Sequence, residues 1–362
     1  MNEILSYNDL WHTLKQTSKP IVLYGMGDGA DKIIDVCNSI NVPIRGVFAS
    51  DGFAKKKLFR GFEVTTYSDI CNKFDDFIVL VSFATQRTEV LDNIYRIAGE
   101  RELYCPDVPV FGSGLFDKSF VTENYTEIEK VYNSLSDDIS KNTYKNIILG
   151  KMTGNIRFIR NAETEIQEAY ETIIKPKQNF HYVDIGAYNG DTIRELMSFS
   201  TYPIAKITAF EPDLKNFTKL CAFAEENGID TSDFHNAACW DKDERLEFYS
   251  RSGRNSAKTS NHSDAKTVLI KAVAADSVID SSVDFINIDA EGSDARVIKG
   301  LNQTIQKYKP LISCAVYHRN EDMFAIPLQL MKEYGECDVY IRHFRYLPAW
   351  DTNVYVCPKI NN

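Results

Sequence analysis

Several things are scarce in this sequence, and each scarcity closes off a class of protein. No apolar run approaches the roughly 20 residues that a membrane-spanning helix needs. The eight cysteines stand far apart with no Cys-x-x-Cys among them, so neither a zinc site nor a disulfide framework is indicated. Positive charge is in deficit: 41 Lys and Arg face 51 Asp and Glu, a net charge of −10. That balance argues against nucleic acid or an anionic membrane as the main partner, although Arg251 to Arg254 is a small basic exception. No Gly-x-Ser-x-Gly elbow occurs, which counts against an α/β hydrolase. Low-complexity segments are absent. The opening stretch, Met1 to Ser18, mixes Glu3, Asp9, His12 and Lys15 among apolar residues. It reads as an amphipathic helix and not as a signal peptide, so the expected location is cytoplasmic.

What is present is enough apolar sequence for real cores. At 362 residues and 44% hydrophobic content, two or three units are expected. The first third alternates strands and helices: strands over Pro20–Gly25, Ile44–Ala49 and Phe77–Phe83, helices over Ala30–Ser39 and Glu89–Gly99. Ser50 to Arg60 reads as a charged loop, and Gly61 to Tyr67 leads into a helix begun at Ser68. Short links between such elements imply a parallel sheet. From Thr122 to Ile174 β runs are few and helical spacing dominates, and Lys175-Pro176-Lys177 is the break before a second βα series. The expected division is residues 1–118 as a small Rossmann-like unit, 119–178 as a helical bridge, and 179–362 as a second, doubly wound α/β unit.

The most informative stretch is Tyr182-Val183-Asp184-Ile185-Gly186-Ala187-Tyr188-Asn189-Gly190-Asp191. A strand over Phe180–Ile185 meets a Gly-x-x-x-Gly turn and then a helix over Asp191–Ser200. The glycines let the chain turn tightly and let a ligand approach the backbone. This is the first βα turn of a doubly wound sheet, where such folds bind nucleotides. The spacing is not Gly-x-Gly-x-x-Gly, and no Lys follows as in a phosphate loop. A second strand, Ile204 to Phe210, ends in Glu211-Pro212, about 20 residues beyond the turn, where a carboxylate can accept both hydroxyl protons of a ribose. A third, Val283 to Ile288, ends in Asp289-Ala290-Glu291-Gly292 and sets two carboxylates at the mouth of a central strand.

These motifs resemble the FkbM family of methyltransferases. The resemblance spans Asn179 to about Lys359 and rests on Val183-Asp184-Ile185-Gly186-Ala187, Phe210-Glu211-Pro212, Asn236-Ala237-Ala238, Ile288-Asp289-Ala290-Glu291-Gly292 and Val297-Ile298-Lys299-Gly300. Lys309-Pro310, Tyr317-His318 and Arg342-His343 extend it. It implies a class I methyltransferase domain with S-adenosylmethionine as cofactor. The cofactor would be held by Asp184, Gly186, Tyr188, Asn189, Gly190, Asp191, Thr192, Glu211, Pro212, Asn236, Ala237 and Asp289. Many members carry an acid two residues before the histidine; this chain has Val316 there, so that strand gives His318 no acidic partner.

For a hydroxyl acceptor, a neutral imidazole at a strand mouth is a suitable base near pH 7. His318 follows the apolar run Leu311 to Val316, so the expected catalytic group is His318 with Asp289 and Glu291. The plainer reading is a histidine that caps the next helix or is hydrogen-bonded within the strand mouth. Tyr317, His318, Arg342 and His343 are the expected acceptor-side residues, Arg342 either clamping an anionic group bidentately or pairing with a neighbouring acid. His12, His181, His235 and His262 read as structural or exposed. Asp289, Glu291 and His318 could also hold a divalent ion, but three candidates without geometry do not make a site, and no metal is assigned. Trp240 either stacks beside the adenine or belongs to the core, and Ser250 to Asp264 is either a lid or a surface insertion.

The first unit carries its own glycine turn, Gly25-Met26-Gly27-Asp28-Gly29, with Asp51 as a candidate ribose acid. Together with Gly46-Val47-Phe48-Ala49-Ser50-Asp51 and Gly61-Phe62-Glu63-Val64, it resembles the nucleotide-sugar-binding domain of bacterial sugar acyltransferases. It is either a small nucleotide site with phosphate at the helix N-terminus or a structural turn that serves dimerisation. The leading expectation is an O-methyltransferase acting on a sugar hydroxyl of a nucleotide sugar, surface polysaccharide or glycolipid, with a homodimer among the expected states. The alternatives are a nucleotide-sensing or scaffolding protein with a degenerate methyltransferase domain, and an oxidoreductase with NAD at the first glycine turn.

Overall fold

The computed structural model describes residues 1–50, 57–250 and 266–359. Asp51 and residues 251–264, where a ribose acid and a lid or insertion were expected, lie outside the described residues. The chain forms two compact units. The first comprises Met1–Tyr132, Lys141–Thr164 and His343–Asp351; the second comprises Asn133–Ser140, Glu165–Arg342 and Thr352–Asn362. The helical stretch expected as a bridge is thus shared out between them.

The first unit has strands β1 (Ile21–Tyr24), β2 (Ile44–Phe48), β3 (Leu58–Phe59), β4 (Phe62–Thr65), β5 (Ile78–Val81) and β6 (Glu102–Tyr104), in the order β3-β4-β2-β1-β5-β6. β1 pairs in parallel with β2 and β5. A central parallel strand has both faces covered, so it reads as an unbroken apolar run. Ile21 and Leu23 join one apolar cluster with Ile33, Ile34 and Val47, and Val22 and Tyr24 join another with Phe77, Leu91 and Ile94. The charged loop ending at Arg60 contains β3, which was not expected: Leu58 and Phe59 pair antiparallel with Glu63 and Phe62. Arg60 and Gly61 both have positive φ (50° and 84°), the geometry of the two-residue turns that close tight hairpins.

The second unit has a seven-stranded sheet of β7 (His181–Ile185), β8 (Lys206–Phe210), β9 (Phe234–His235), β13 (Phe285–Ile288), β14 (Leu311–Ala315), β15 (Cys337–His343) and β16 (Thr352–Pro358). A separate three-stranded sheet holds β10 (Ala238–Trp240), β11 (Glu244–Ser250) and β12 (Lys266–Ala274). The large sheet runs β15-β16-β14-β13-β7-β8-β9, with β7, β8, β9, β13 and β14 parallel and β16 antiparallel to β14. β7 lies between β8 and β13, so the connections leave it in opposite directions and open a crevice at its C-terminal end. This is a Rossmann-like, parallel-dominated α/β fold. Trp240 lies in a core cluster with Leu246 and Ala272, the Arg296 guanidinium 4.9 Å from its ring centre. Among the described residues, no helix is long and apolar enough to cross a membrane.

Arg342, on β15, is fully buried. Its Nε and Nη2 donate to the two oxygens of Glu168 (2.6 and 2.8 Å), Nη2 also donates to Asp137 (2.7 Å), and Nη1 donates to Ser140 Oγ (2.8 Å). Its role as an acceptor clamp therefore gives way to the ion-pair alternative, because the planar fork is already filled by the chain's own carboxylates. Burial works against the guanidinium charge, but the bonds to Glu168 and Asp137 outweigh it and hold its pKa up. Arg342→Met should lower unfolding stability by about 3 kcal/mol, the low end for a broken buried pair because Asp137 and Glu168 keep part of their water. Urea unfolding checks this, and an unchanged midpoint contradicts it.

Candidate active site

The turn after β7 packs directly on the turn after β13. Gly186 has φ +87°, and a Cβ there would stand 1.9 Å from the Asp289 carbonyl oxygen. Gly190, φ +83°, would push a Cβ to 2.5 Å from the Phe223 ring. Glycine is required at both positions by the chain's own packing. The Gly186 and Ala187 amides both donate to Phe210 O (3.0 Å each), which ties the turn to the end of β8.

Two buried carboxylates brace this turn from below. Asp184 accepts from Thr192 Oγ1, at the start of helix Asp191–Phe199, and from Asn287 Nδ2 (3.3 Å). Glu211 accepts from the Tyr188 amide on one oxygen (3.0 Å) and from the Asp213 amide on the other (2.8 Å). Burial pushes both carboxyls up to about 7, against the lowering effect of those hydrogen bonds. Asn236 Nδ2 donates to the carbonyls of Glu211 and Pro212 (2.9 and 3.2 Å), and Ala237 is buried beside it. The Thr192 amide donates to Asp191 Oδ1 (3.1 Å).

The third carboxylate group faces His318. This residue is 1% exposed, and both of its ring nitrogens meet acids. Nδ1 lies 3.1 Å from Asp294 Oδ2; Nε2 lies 3.1 Å from Asp289 Oδ1 and 3.8 Å from Glu291 Oε2. The Tyr317 hydroxyl donates to the other oxygen of Asp289 (3.2 Å). Burial alone would lower the imidazole pKa, but Asp294 and Asp289 overcome it and hold the value well above the ordinary one. The Glu291 carboxyl moves up, chiefly by burial, with His318 opposing. Its backbone is left-handed, φ 49°.

The structure thus brings His318, Asp289, Glu291 and Tyr317 together at the mouths of β13 and β14. It does not bring His343 into this group. That residue groups with the first unit, fully buried, and burial lowers its imidazole pKa to about 4 despite the backbone carbonyls around it. The expectation that Val316 leaves His318 without an acidic partner is also corrected, since Asp294 supplies one from a neighbouring turn. Asp294 escaped the sequence reading because an acid in the first turn of a helix is ordinary helix chemistry; Asp322 stood in the Tyr-His-x-x-Glu-Asp run after β14. Asp294, His318 and Asp322 offer ligand atoms within 4.8 Å of one another, a set a metal ion would accept. Here, however, Nδ1 and both Asp294 oxygens are engaged with each other and with backbone N–H groups.

In the first unit's glycine turn, Gly25 and Gly29 press on Phe83 and Ser82, while Gly27 has open space around it. The helix beginning there carries Asp28 and Asp31 in its first turn, where their charge opposes a phosphate.

Residues 184–347 match the family model of the methyltransferase FkbM domain. The chain is a methyltransferase, and its likeness to the FkbM domain lies over those residues. Among solved structures, the methyltransferase FkbM of Methylobacillus flagellatus KT is similar at a TM-score of 0.69 and 16% identity, covering 98% of this chain and 92% of that one. That likeness shows the fold across both units. A precorrin-6y C5,15-methyltransferase of Geobacter metallireducens GS-15 (TM-score 0.32, 11% identity) covers 53% of this chain and 85% of its own. An rRNA methylase of Streptococcus thermophilus (TM-score 0.30, 10% identity) covers 50% and 88%. No curated protein matches the chain in sequence.

Glu211 gives a pH prediction. Its carboxyl would titrate near 4.3 in the unfolded chain and titrates at about 7 in the fold. The folded state therefore holds this proton more tightly, so the stability it contributes is complete at acid pH and is lost as pH rises to about 7. Urea unfolding across this range should give Glu211→Gln a shallower decline than the parent, and parallel curves would contradict the assignment.

Proposed function

We propose that the second unit methylates a hydroxyl group with S-adenosylmethionine as the donor, and that the hydroxyl belongs to a sugar. The observation that carries the donor reading is Glu211. Each of its oxygens spends one of two acceptor positions on a backbone N–H, which leaves two free for a vicinal diol. Asn189 Oδ1, buried in the glycine turn and without a hydrogen-bond partner, is a further acceptor that suits a polar ligand. When bound, S-adenosylmethionine would supply a methyl group on a positively charged sulfonium. Asp184, Gly186, Tyr188, Gly190, Asp191, Thr192, Pro212, Asn236 and Ala237 form the surrounding turn, and Asp289 lies on its far side, where its charge suits a cation.

The acceptor side is lined by carboxylates and by Tyr317, which favours a neutral hydroxyl over a phosphate. Both ring nitrogens of His318 are committed, so the imidazole is poorly placed to take up a proton. Glu291 is the better base. Its side chain is 40% exposed, and with its pKa raised above the ordinary carboxylate range its ionised form is a stronger base toward a hydroxyl proton. Asp289 and His318 then orient the group. The sugar itself is supported by the FkbM resemblance alone.

The test is a methyl-donor assay against nucleotide sugars and sugar phosphates, read by mass spectrometry, with donor affinity measured by calorimetry. Glu211→Ala should weaken donor binding by about 2–3 kcal/mol, the value of lost charge-assisted bonds. Glu291→Gln should leave donor affinity intact and lower turnover by about 10²–10⁴-fold. A chain that binds no donor would be the degenerate domain instead, and full turnover in Glu291→Gln would return the base to His318 or Asp289.

A further inference from the structure

We propose that Asp294 is a positioning residue of this site: one buried carboxylate fixes both the ring of His318 and the loop that presents Asp289 and Glu291. Asp294 is 1% exposed at the start of helix Asp294–Lys299. Its side chain turns back on the loop it follows. Oδ1 accepts from the Ala290 amide (2.9 Å), and Oδ2 accepts from the Gly292 amide (3.1 Å). Those two amides flank Glu291. A non-glycine residue in the left-handed region is strained and persists only where its surroundings hold it. The paired bonds on either side of Glu291 are such a hold.

The same Oδ2 faces His318 Nδ1 at 3.1 Å. With Nδ1 fixed, Nε2 is aimed at Asp289 and Glu291. The result is a chain from the helix start through the imidazole to the two carboxylates of the open mouth. The other groups packed on the ring belong to the same network. Asp322, at the start of helix Asp322–Tyr334, accepts from the Arg319 amide (2.9 Å), and burial with the nearby Asp294 raises its pKa to about 7. Tyr317 lies with its ring centre 4.4 Å from the imidazole, and burial, with Asp294, Asp322 and Asp289 nearby, raises the thiol pKa of Cys314. Burial opposes the charge on the imidazole, and Asp294 and Asp289 raise its pKa against that burial. A residue that merely closed the loop would not govern the proton on the ring, and that difference makes the role measurable.

The effect on turnover rests on the reading of Glu291 as base; the ring measurement does not. Protein labelled with ¹⁵N-histidine is titrated by NMR, and the His318 signals are assigned by their loss in His318→Gln. In the parent protein, Nδ1 should carry a proton at pH 7, and the ring should stay charged well above pH 6.5. In Asp294→Asn the midpoint should fall by about one unit or more, the usual effect of one close opposite charge. Turnover should fall while donor affinity holds. An unprotonated Nδ1 at pH 7 in the parent overturns the proposal even if Asp294→Asn fails to fold, and so does an unchanged midpoint in a folded variant. If the ring behaves as stated but Glu291→Gln is fully active, Asp294 keeps its positioning role and only the base assignment fails.

Discussion

The site depends on one close approach, the Gly186 backbone against the Asp289 carbonyl. Parallel pairing of β7 and β13 brings the two turns to the same edge of the sheet, and the missing side chain at 186 lets them touch. The turn after β7 leads to Tyr188, whose amide is held by Glu211. The turn after β13 leads to Asp289 and Glu291. A side chain at 186 would separate the two turns and shift the Tyr188 and Asp289 segments relative to each other. The sheet supplies the edge, but this contact sets the spacing.

Charge is concentrated there on purpose of geometry more than of stability. Asp184, Glu211, Glu291 and Asp322 all have carboxyls raised by burial, and a buried carboxylate without compensation is costly. Backbone amides and the His318 imidazole supply that compensation in part. Strongly perturbed carboxyls clustered at the switch point of an α/β sheet are the pattern expected of a working site. Arg342 shows the contrasting use of buried charge: its two carboxylates are near enough to satisfy it fully, and it ties the Asn133–Ser140 segment to β15.

Much of this was legible in the sequence, for identifiable reasons. Ile21–Tyr24 and His181–Ile185 read as strands because central parallel strands are apolar on both faces. The glycine turns and the acids after β8 and β13 were visible because they sit at fixed distances from those strands. What was not legible depends on contacts between distant segments. Leu58 and Phe59 looked like loop because a two-residue strand has no periodicity of its own. Arg342 stayed open between a ligand clamp and an ion pair because nothing in sequence shows Asp137 and Glu168 arriving from more than 170 positions away. Asp294 went unnoticed because its carboxylate turns back on its own loop.

The most direct test of the central claim is a crystal structure of the protein with S-adenosylhomocysteine. The account predicts the ribose hydroxyls on Glu211, the ligand along the turn from Gly186 to Gly190, and its sulfur directed toward Asp289 and Glu291. A ligand seated at the Gly25 to Gly29 turn, or one that leaves Glu211 bonded only to Tyr188 and Asp213, would contradict it.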